Sequence, residues 1–493
     1  MKANSCSKWN INWDLYFLIC ILFGFLFHIL FSFVLPNTNS VNLYDGKRFF
    51  VMMMLGLAWL SLCHYHNVCA LKRAWQSLES ITQYLLIFLF LGVCVSLFYA
   101  QYPITAITQT LYFFGLVLLV FLVSRFFYQQ TKWFYRFIYL TSIVLIFDVT
   151  FPFWARVYLD MEVNKFTILN FSNPRFLNQI HVWLIFPLVY FTFLNIKRKR
   201  YPKLSVFFLT LNMALCFALD ARGLVLSILV GFAFLFCLDH SYRQLWLKIA
   251  VVSLCGGWLC SFIFYSPLPS FLFSDQMNGL IFPELRTTSS GRMDLWKQAW
   301  EMRSLFGKGT AAFVCSSAPF GRPHNSVLSV LVSWGWITTF VYLSLVVILI
   351  KNTVMAQRRS VRLYGIGIFT GWFYSLFSGV IDSPFSQLMA VICLSFFWLK
   401  LVNKNKRSFV LENGEKSQRS VNKYYLIARS QHALIFFFTL IPIFSLQFQL
   451  SERMGVYSTK LIEVKDSKTQ FWIGFNCLEL NETVGMGYLG DKK

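Results

Sequence analysis

Apolar residues along the 493-residue chain gather into runs of about twenty, and the runs recur at short intervals throughout. Most runs show neither the two-residue alternation of a strand nor a polar stripe at helical spacing. That is the pattern of a helix apolar on all sides. A spanning helix needs ~20 mostly apolar residues. Thirteen runs qualify, centred on 15–35, 48–64, 81–99, 104–124, 134–152, 179–196, 204–219, 223–238, 249–266, 326–350, 364–380, 387–402 and 433–449. They predict an all-α polytopic membrane bundle of about 12–13 transmembrane helices, with a large, partly helical loop at 267–325. The chain then divides into N-terminal transmembrane helices (1–152), a middle region (153–402) that contains the loop, a basic loop (403–432), and a last helix with its tail (433–493).

Composition agrees. Apolar types make up 57% of the chain and charged types 13%, against about 25% charged in soluble domains. The net charge of +23 resembles a nucleic-acid signal, but positive-inside topology explains it and no nucleic-acid partner is expected. With the N-terminus placed in the cytoplasm, 26 of the 44 Lys and Arg fall on the inner side. Short outer loops near 99–104 and 381–387 carry none. The basic stretch 403–430 is expected to contact lipid headgroups. The first run lacks a small-residue cleavage site and reads as an uncleaved anchor. Most of the twelve Cys lie inside apolar runs as small core residues. Cys315 and Cys477 share the outer side, where a disulfide can form.

The informative charges lie on that outer side. Arg222 occupies the tight reversal Asp220-Ala221-Arg222-Gly223, and Asp220 is its nearest partner. A membrane-edge Arg either snorkels or has a partner and a function. Ser289-Ser290-Gly291-Arg292-Met293-Asp294-Leu295-Trp296 begins a predicted helix, capped by Ser289 or Ser290, with Met293, Trp296, Ala299 and Trp300 on its apolar face. Arg292 and the helix amides make an anion site there, unless this is a plain amphipathic loop helix. Arg322-Pro323-His324-Asn325-Ser326 runs into the next membrane helix, with Asn325 or Ser326 as its cap and His324 at the boundary. A positive helix end favours neutral imidazole, although a lone interfacial His is more often only a satisfied polar residue. Asn173-Pro174-Arg175 precedes one helix and Asp382-Ser383-Pro384 follows another. Arg175 can join an anion site, and Asp382 can orient a His or bind sugar hydroxyls.

The sequence holds no Asp-x-Asp, His-Glu-x-x-His, P-loop or Cys-x-x-Cys motif, so no metal and no cofactor is called for. Gly485-Met486-Gly487-Tyr488-Leu489-Gly490 matches a nucleotide-binding pattern by chance, with no strand before it and no helix after it.

Three pieces recur in order: Ala221-Arg222-Gly223-Leu224, then Ser290-Gly291-Arg292 through Trp296 to Gly307-Lys308-Gly309, then Pro323-His324-Asn325 through Trp334-Gly335. This ordered set resembles the O-antigen ligase and polymerase superfamily of bacterial inner-membrane glycosyltransferases, over about residues 165–400. Ala221 stands where the family's motif usually has Ser, and the tail after 450 is longer than expected.

The resemblance implies transfer of a glycan from an undecaprenyl-pyrophosphate carrier to an acceptor hydroxyl on the periplasmic face. The acceptor is lipid A–core in ligases, a second carrier-linked repeat unit in polymerases, and a protein hydroxyl in a related branch. By the same resemblance, Arg222 and Arg292 bind the pyrophosphate and His324 is the base. Arg175, Arg322, Asn325 and Asp382 are the further substrate-binding candidates. Guanidiniums hold a pyrophosphate bidentately, so the expected chemistry is metal-independent, and a single displacement inverts the anomeric centre. The rival from another class is a transporter or flippase of lipid-linked oligosaccharides. That reading requires internal repeats, broken helices and charges near the midplane.

Overall fold

The computed structural model describes residues 7–31, 40–63, 65–161, 163, 170–171, 173–266, 268–272, 291–316, 322–402, 439–451 and 453. These residues form helices and connecting turns, with no strand among them. The chain runs through α1 (Ser7–Leu30), α2 (Ser40–Ser61), α3 (Tyr65–Gln76), α4 (Ser80–Phe98), α5 (Pro103–Gln129) and α6 (Thr131–Tyr158). Next come α7 (Pro174–Lys197), α8 (Pro202–Ala218), α9 (Arg222–Leu238) and α10 (Arg243–Phe264). The loop region holds α11 (Leu268–Leu272), α12 (Arg292–Glu301) and α13 (Ala312–Ser316). The bundle resumes with α14 (Ser326–Val354), α15 (Arg359–Ser375) and α16 (Pro384–Val402). A last helix, α17, covers 439–451.

Each of the thirteen expected runs falls on one of these helices. Among the described residues, seven helices are both long and apolar enough to cross a membrane. The apolar part of α1, with α8 and α9, is shorter. The chain is therefore an all-α, multi-pass membrane protein. The basic loop 403–432 lies outside the described residues, as do nearly all of the tail and positions 273–290 of the long loop.

Packing of rings and small residues holds the bundle together, because lipid tails leave little hydrophobic drive between helices. Phe134 of α6 stacks on Phe396 of α16 with centroids 3.8 Å apart. Phe127 and Tyr364 meet Phe396 edge-on from α5 and α15. One boundary departs from expectation. α2 starts eight residues before the apolar run, because Asp45, Lys47 and Arg48 are 0%, 4% and 1% exposed rather than solvated.

The feature that positions the candidate site is a break in α14. Gly335 has φ 80° and ψ 179°, a conformation open in practice only to Gly. The break removes helical partners from nearby backbone groups, and buried backbone groups need replacements. Segment 304–309 supplies them. The Lys308 N–H donates to the Val332 carbonyl at 2.8 Å and the Gly309 N–H to Ser333 at 3.0 Å. In return the Trp336 N–H donates to the Ser304 carbonyl at 3.2 Å. The α4–α5 turn braces the splint from behind, through Gln101 N–H to the Lys308 carbonyl (3.0 Å) and Tyr99 stacked on Phe306. The Gly-x-Gly of the second sequence motif and the Gly of the third are thus two halves of one joint.

Candidate active site

Each candidate residue is delivered by a helix end. Asn173 caps α7: its Oδ1 accepts the Arg175 N–H at 2.9 Å, with Pro174 at the first helical position. Asn325 caps α14, its Oδ1 accepting from the N–H groups of Val327 (3.0 Å) and Leu328 (3.1 Å). That bond fixes the register of His324, whose φ of 53° turns the chain out of the helix. α12 is capped by Gly291 at φ 72°, without a side-chain bond, rather than by the expected Ser289 or Ser290. Its buried face matches expectation at Ala299 and departs from it elsewhere. Leu295 and Ala299 pack with Phe313 and Val332, whereas Met293 and Trp300 are exposed. The indole of Trp296 is half-buried and donates from Nε1 to the Pro323 carbonyl at 2.9 Å. α12 is thereby tied directly to the turn that carries His324.

The electrostatics show which charges meet. His324 has its pKa pushed down to about 3, first by burial and then by the guanidiniums of Arg322, Arg175 and Arg292. The imidazole is therefore neutral at any physiological pH. Arg292 is itself held below its usual value by burial and by Arg175. Cations from α7, α12 and the α14 turn thus converge on one imidazole.

Asp382 engages Arg322 rather than His324. Its Oδ2 lies 3.1 Å from Arg322 Nη1, and the Arg322 side chain is only 5% exposed. Gly379 makes this pair possible, since a Cβ there would stand 2.7 Å from Arg322 Nη1 and 3.1 Å from Asp382 Oδ2. Arg222 stands at the edge of the group. It pairs with Asp220 at 2.9 Å, as the reversal predicts, and its side chain is 44% exposed. Gly223 beside it approaches the Tyr374 ring, on which Arg292 and Arg175 also act. Arg222 therefore shares this end of the bundle with the other residues, but the charges acting on His324 are Arg322, Arg175 and Arg292.

Sequence reasoning passed over Gly379 and the buried polar residues of α2. Asp45 binds Arg453 at 2.6 Å, and Lys47 donates to the Asn170 carbonyl at 2.6 Å. Asn170 in turn donates to Asp148 of α6 at 2.9 Å. The signal available was three charges interrupting the approach to an apolar run. Cys315 is disulfide-bonded; Cys477, the partner the sequence leaves open for it, lies outside the described residues. Among the described residues, no group of three His, Cys, Asp or Glu is placed to hold a metal ion.

No curated protein and no solved structure matches the chain. A family model described as O-antigen ligase matches residues 204–343, a segment that contains Arg222, Arg292, Arg322, His324 and Asn325 but neither Arg175 nor Asp382. That match supports the O-antigen ligase superfamily, with its ligase- and polymerase-type glycosyltransferases, as what this segment is similar to.

Proposed function

We propose that this end of the bundle transfers a glycan from an undecaprenyl-pyrophosphate carrier to an acceptor hydroxyl, at the periplasmic face of a bacterial inner membrane. The reading is O-antigen ligase type, with lipid A–core as acceptor. The observation that carries it is that the charges of Arg322, Arg175 and Arg292 all act on the half-buried His324.

In this reading the acceptor oxygen attacks the anomeric carbon while the bond from that carbon to the pyrophosphate oxygen breaks. The acceptor proton passes to His324, and the electron pair leaves with undecaprenyl pyrophosphate. Inversion follows from the single displacement. Guanidiniums fixed in place before the reaction stabilise the charge growing on the leaving group, and more strongly in a dry site than in water. Arg292 and Arg222 bind the pyrophosphate, with Arg175 and Arg322 beside them. The low pKa of His324 fits a base whose strength depends on the donor. Without donor, burial and the cations together keep the imidazole neutral. A bound pyrophosphate neutralises them and raises the imidazole's proton affinity when it is needed.

Two marks of the rival transport reading do occur, a broken helix and buried charges in membrane helices. The break and one of those charges, Arg48, are tied to the site. The break is splinted by the loop that follows α12, and Arg48 is bonded to the segment that carries Asp382. The second reading is a repeat-unit polymerase of the same superfamily, which uses the same donor chemistry, and a protein-directed transferase is the third. Deleting the gene and examining surface glycans tests all three. Full-length but unligated chains support the ligase, single capped repeats support the polymerase, and unglycosylated protein supports the protein-directed enzyme. Loss of surface glycans with accumulation of donor on the cytoplasmic side would favour a flippase.

A further inference from the structure

The segment 379–387 carries Asp382, yet it is held from the far end of the sequence by side chains of α2, Arg48 above all. Arg48 is 1% exposed. Its Nη2 donates to the Asp382 carbonyl at 2.6 Å and to the Tyr44 hydroxyl at 3.0 Å. Its Nη1 donates to Gln387 Oε1 at 2.8 Å and to the Tyr112 hydroxyl at 2.7 Å. The same segment is closed on itself by Gln387 Nε2 donating to the Ile381 carbonyl at 2.7 Å, and Tyr44 adds a bond to the Asp382 carbonyl at 3.2 Å. A guanidinium is a rigid fork that fixes several acceptors at once. Burying one is costly, so a buried one whose two terminal nitrogens both hold fixed acceptors marks a position where geometry matters.

We infer that Arg48 is a positioning residue for the transfer reaction, acting through the Asp382 backbone to hold the Asp382 carboxylate against Arg322 beside His324. The inference rests on the functional reading above. It also extends the site beyond the matched segment 204–343, because α2 and α5 build the support under the α15–α16 turn. With the fork intact, the Asp382 carboxylate partly neutralises Arg322, whose field reaches His324. Without it, the turn is free to shift and that balance is lost. Lys at 48 keeps a charge but bonds fewer acceptors at fixed angles.

The test measures release of undecaprenyl pyrophosphate from the organism's own lipid-linked glycan in membranes, with enzyme abundance determined by immunoblot. Arg48→Lys, Asp382→Asn and the double variant are compared with His324→Ala. Arg48→Lys is expected to lower kcat by roughly tenfold, the loss of one or two charge-assisted bonds, with KM for the donor little changed. The double variant is expected to match the worse single variant, because both changes break one chain of contacts. A double variant whose losses multiply, or a fully active Arg48→Lys, overturns the inference while leaving the site reading intact if His324→Ala is inactive. An active His324→Ala overturns the site reading itself. If Arg48→Lys fails to accumulate, Tyr44→Phe serves instead. It keeps the ring and removes the hydroxyl that touches both Arg48 and the Asp382 carbonyl, and a smaller drop in kcat, again non-additive with Asp382→Asn, is the supporting result.

Discussion

Replacing Gly335 with Ala tests whether the break in α14 matters to the chemistry some ten residues away. Ala at φ 80° and ψ 179° pays roughly 1–3 kcal/mol in backbone strain. The new Cβ would also lie against the Leu305 carbonyl and 2.5 Å from the Gly307 nitrogen, backbone atoms that no rotamer change can move aside. To relieve the contact, segment 304–309 must withdraw and the three splinting bonds from Lys308, Gly309 and Trp336 must lengthen, at ~0.5–1.5 kcal/mol each. If only ~1.4 kcal/mol of that total reaches the placement of His324, turnover falls tenfold. The assay is donor turnover per molecule in membranes. Gly56→Ala serves as control, since a Cβ there meets only Leu446 at an ordinary 3.9 Å. We expect Gly335→Ala to lose at least about tenfold and Gly56→Ala to match the parent protein. Full turnover and unchanged thermal stability of Gly335→Ala would refute the view that the joint aims the outer half of α14.

Further outcomes follow from the same geometry. The acid limb of kcat is expected at higher pH than that of kcat/KM. His324 sits at about 3 in the free enzyme, and bound pyrophosphate raises it; coincident limbs in the two profiles would contradict this. Arg292→Lys should cost roughly 10–100-fold in turnover by losing a bidentate charge-assisted contact, and more than Arg222→Lys, whose guanidinium is already engaged by Asp220 at the edge; equal losses would place Arg222 at the centre. Trp296→Phe removes the bond to the Pro323 carbonyl and should slow turnover several-fold, in line with ~1 kcal/mol, without reducing abundance. Turnover should persist in EDTA, and loss that magnesium restores would assign the charge stabilisation to a metal.

Hydropathy located every described membrane helix because each run had to satisfy its backbone internally, and only helices do so in lipid. The cap at Asn325 and the Asp220–Arg222 pair were legible because both depend on neighbours in sequence. What could not be read depended on partners hundreds of residues away. Arg48 and Asp382 meet across 334 positions, and in sequence Arg48 is only a charge at the edge of an apolar run. Gly379 reads as an ordinary loop glycine until Arg322 is known to lie against it. The face of α12 was legible at Ala299 but not at Met293 and Trp300, which are apolar enough for a core stripe, whereas the actual partner surface, Phe313 and Val332, takes Leu295 beside Ala299. The Gly-x-Gly and Gly335 were visible as motifs, but nothing in the sequence says that one splints the other.

The central claim is that one neutral imidazole, set among guanidiniums from separate parts of the chain, accepts the proton of the attacking hydroxyl. The most direct measurement is turnover of the lipid-linked donor by His324→Ala in membranes, with abundance and thermal stability matched to the parent protein. The account requires that turnover fall by ~10²–10⁴-fold, the usual contribution of a positioned base, while donor still binds. Turnover within a few-fold of the parent, at matched abundance, would remove His324 from the reaction and the proposed chemistry with it.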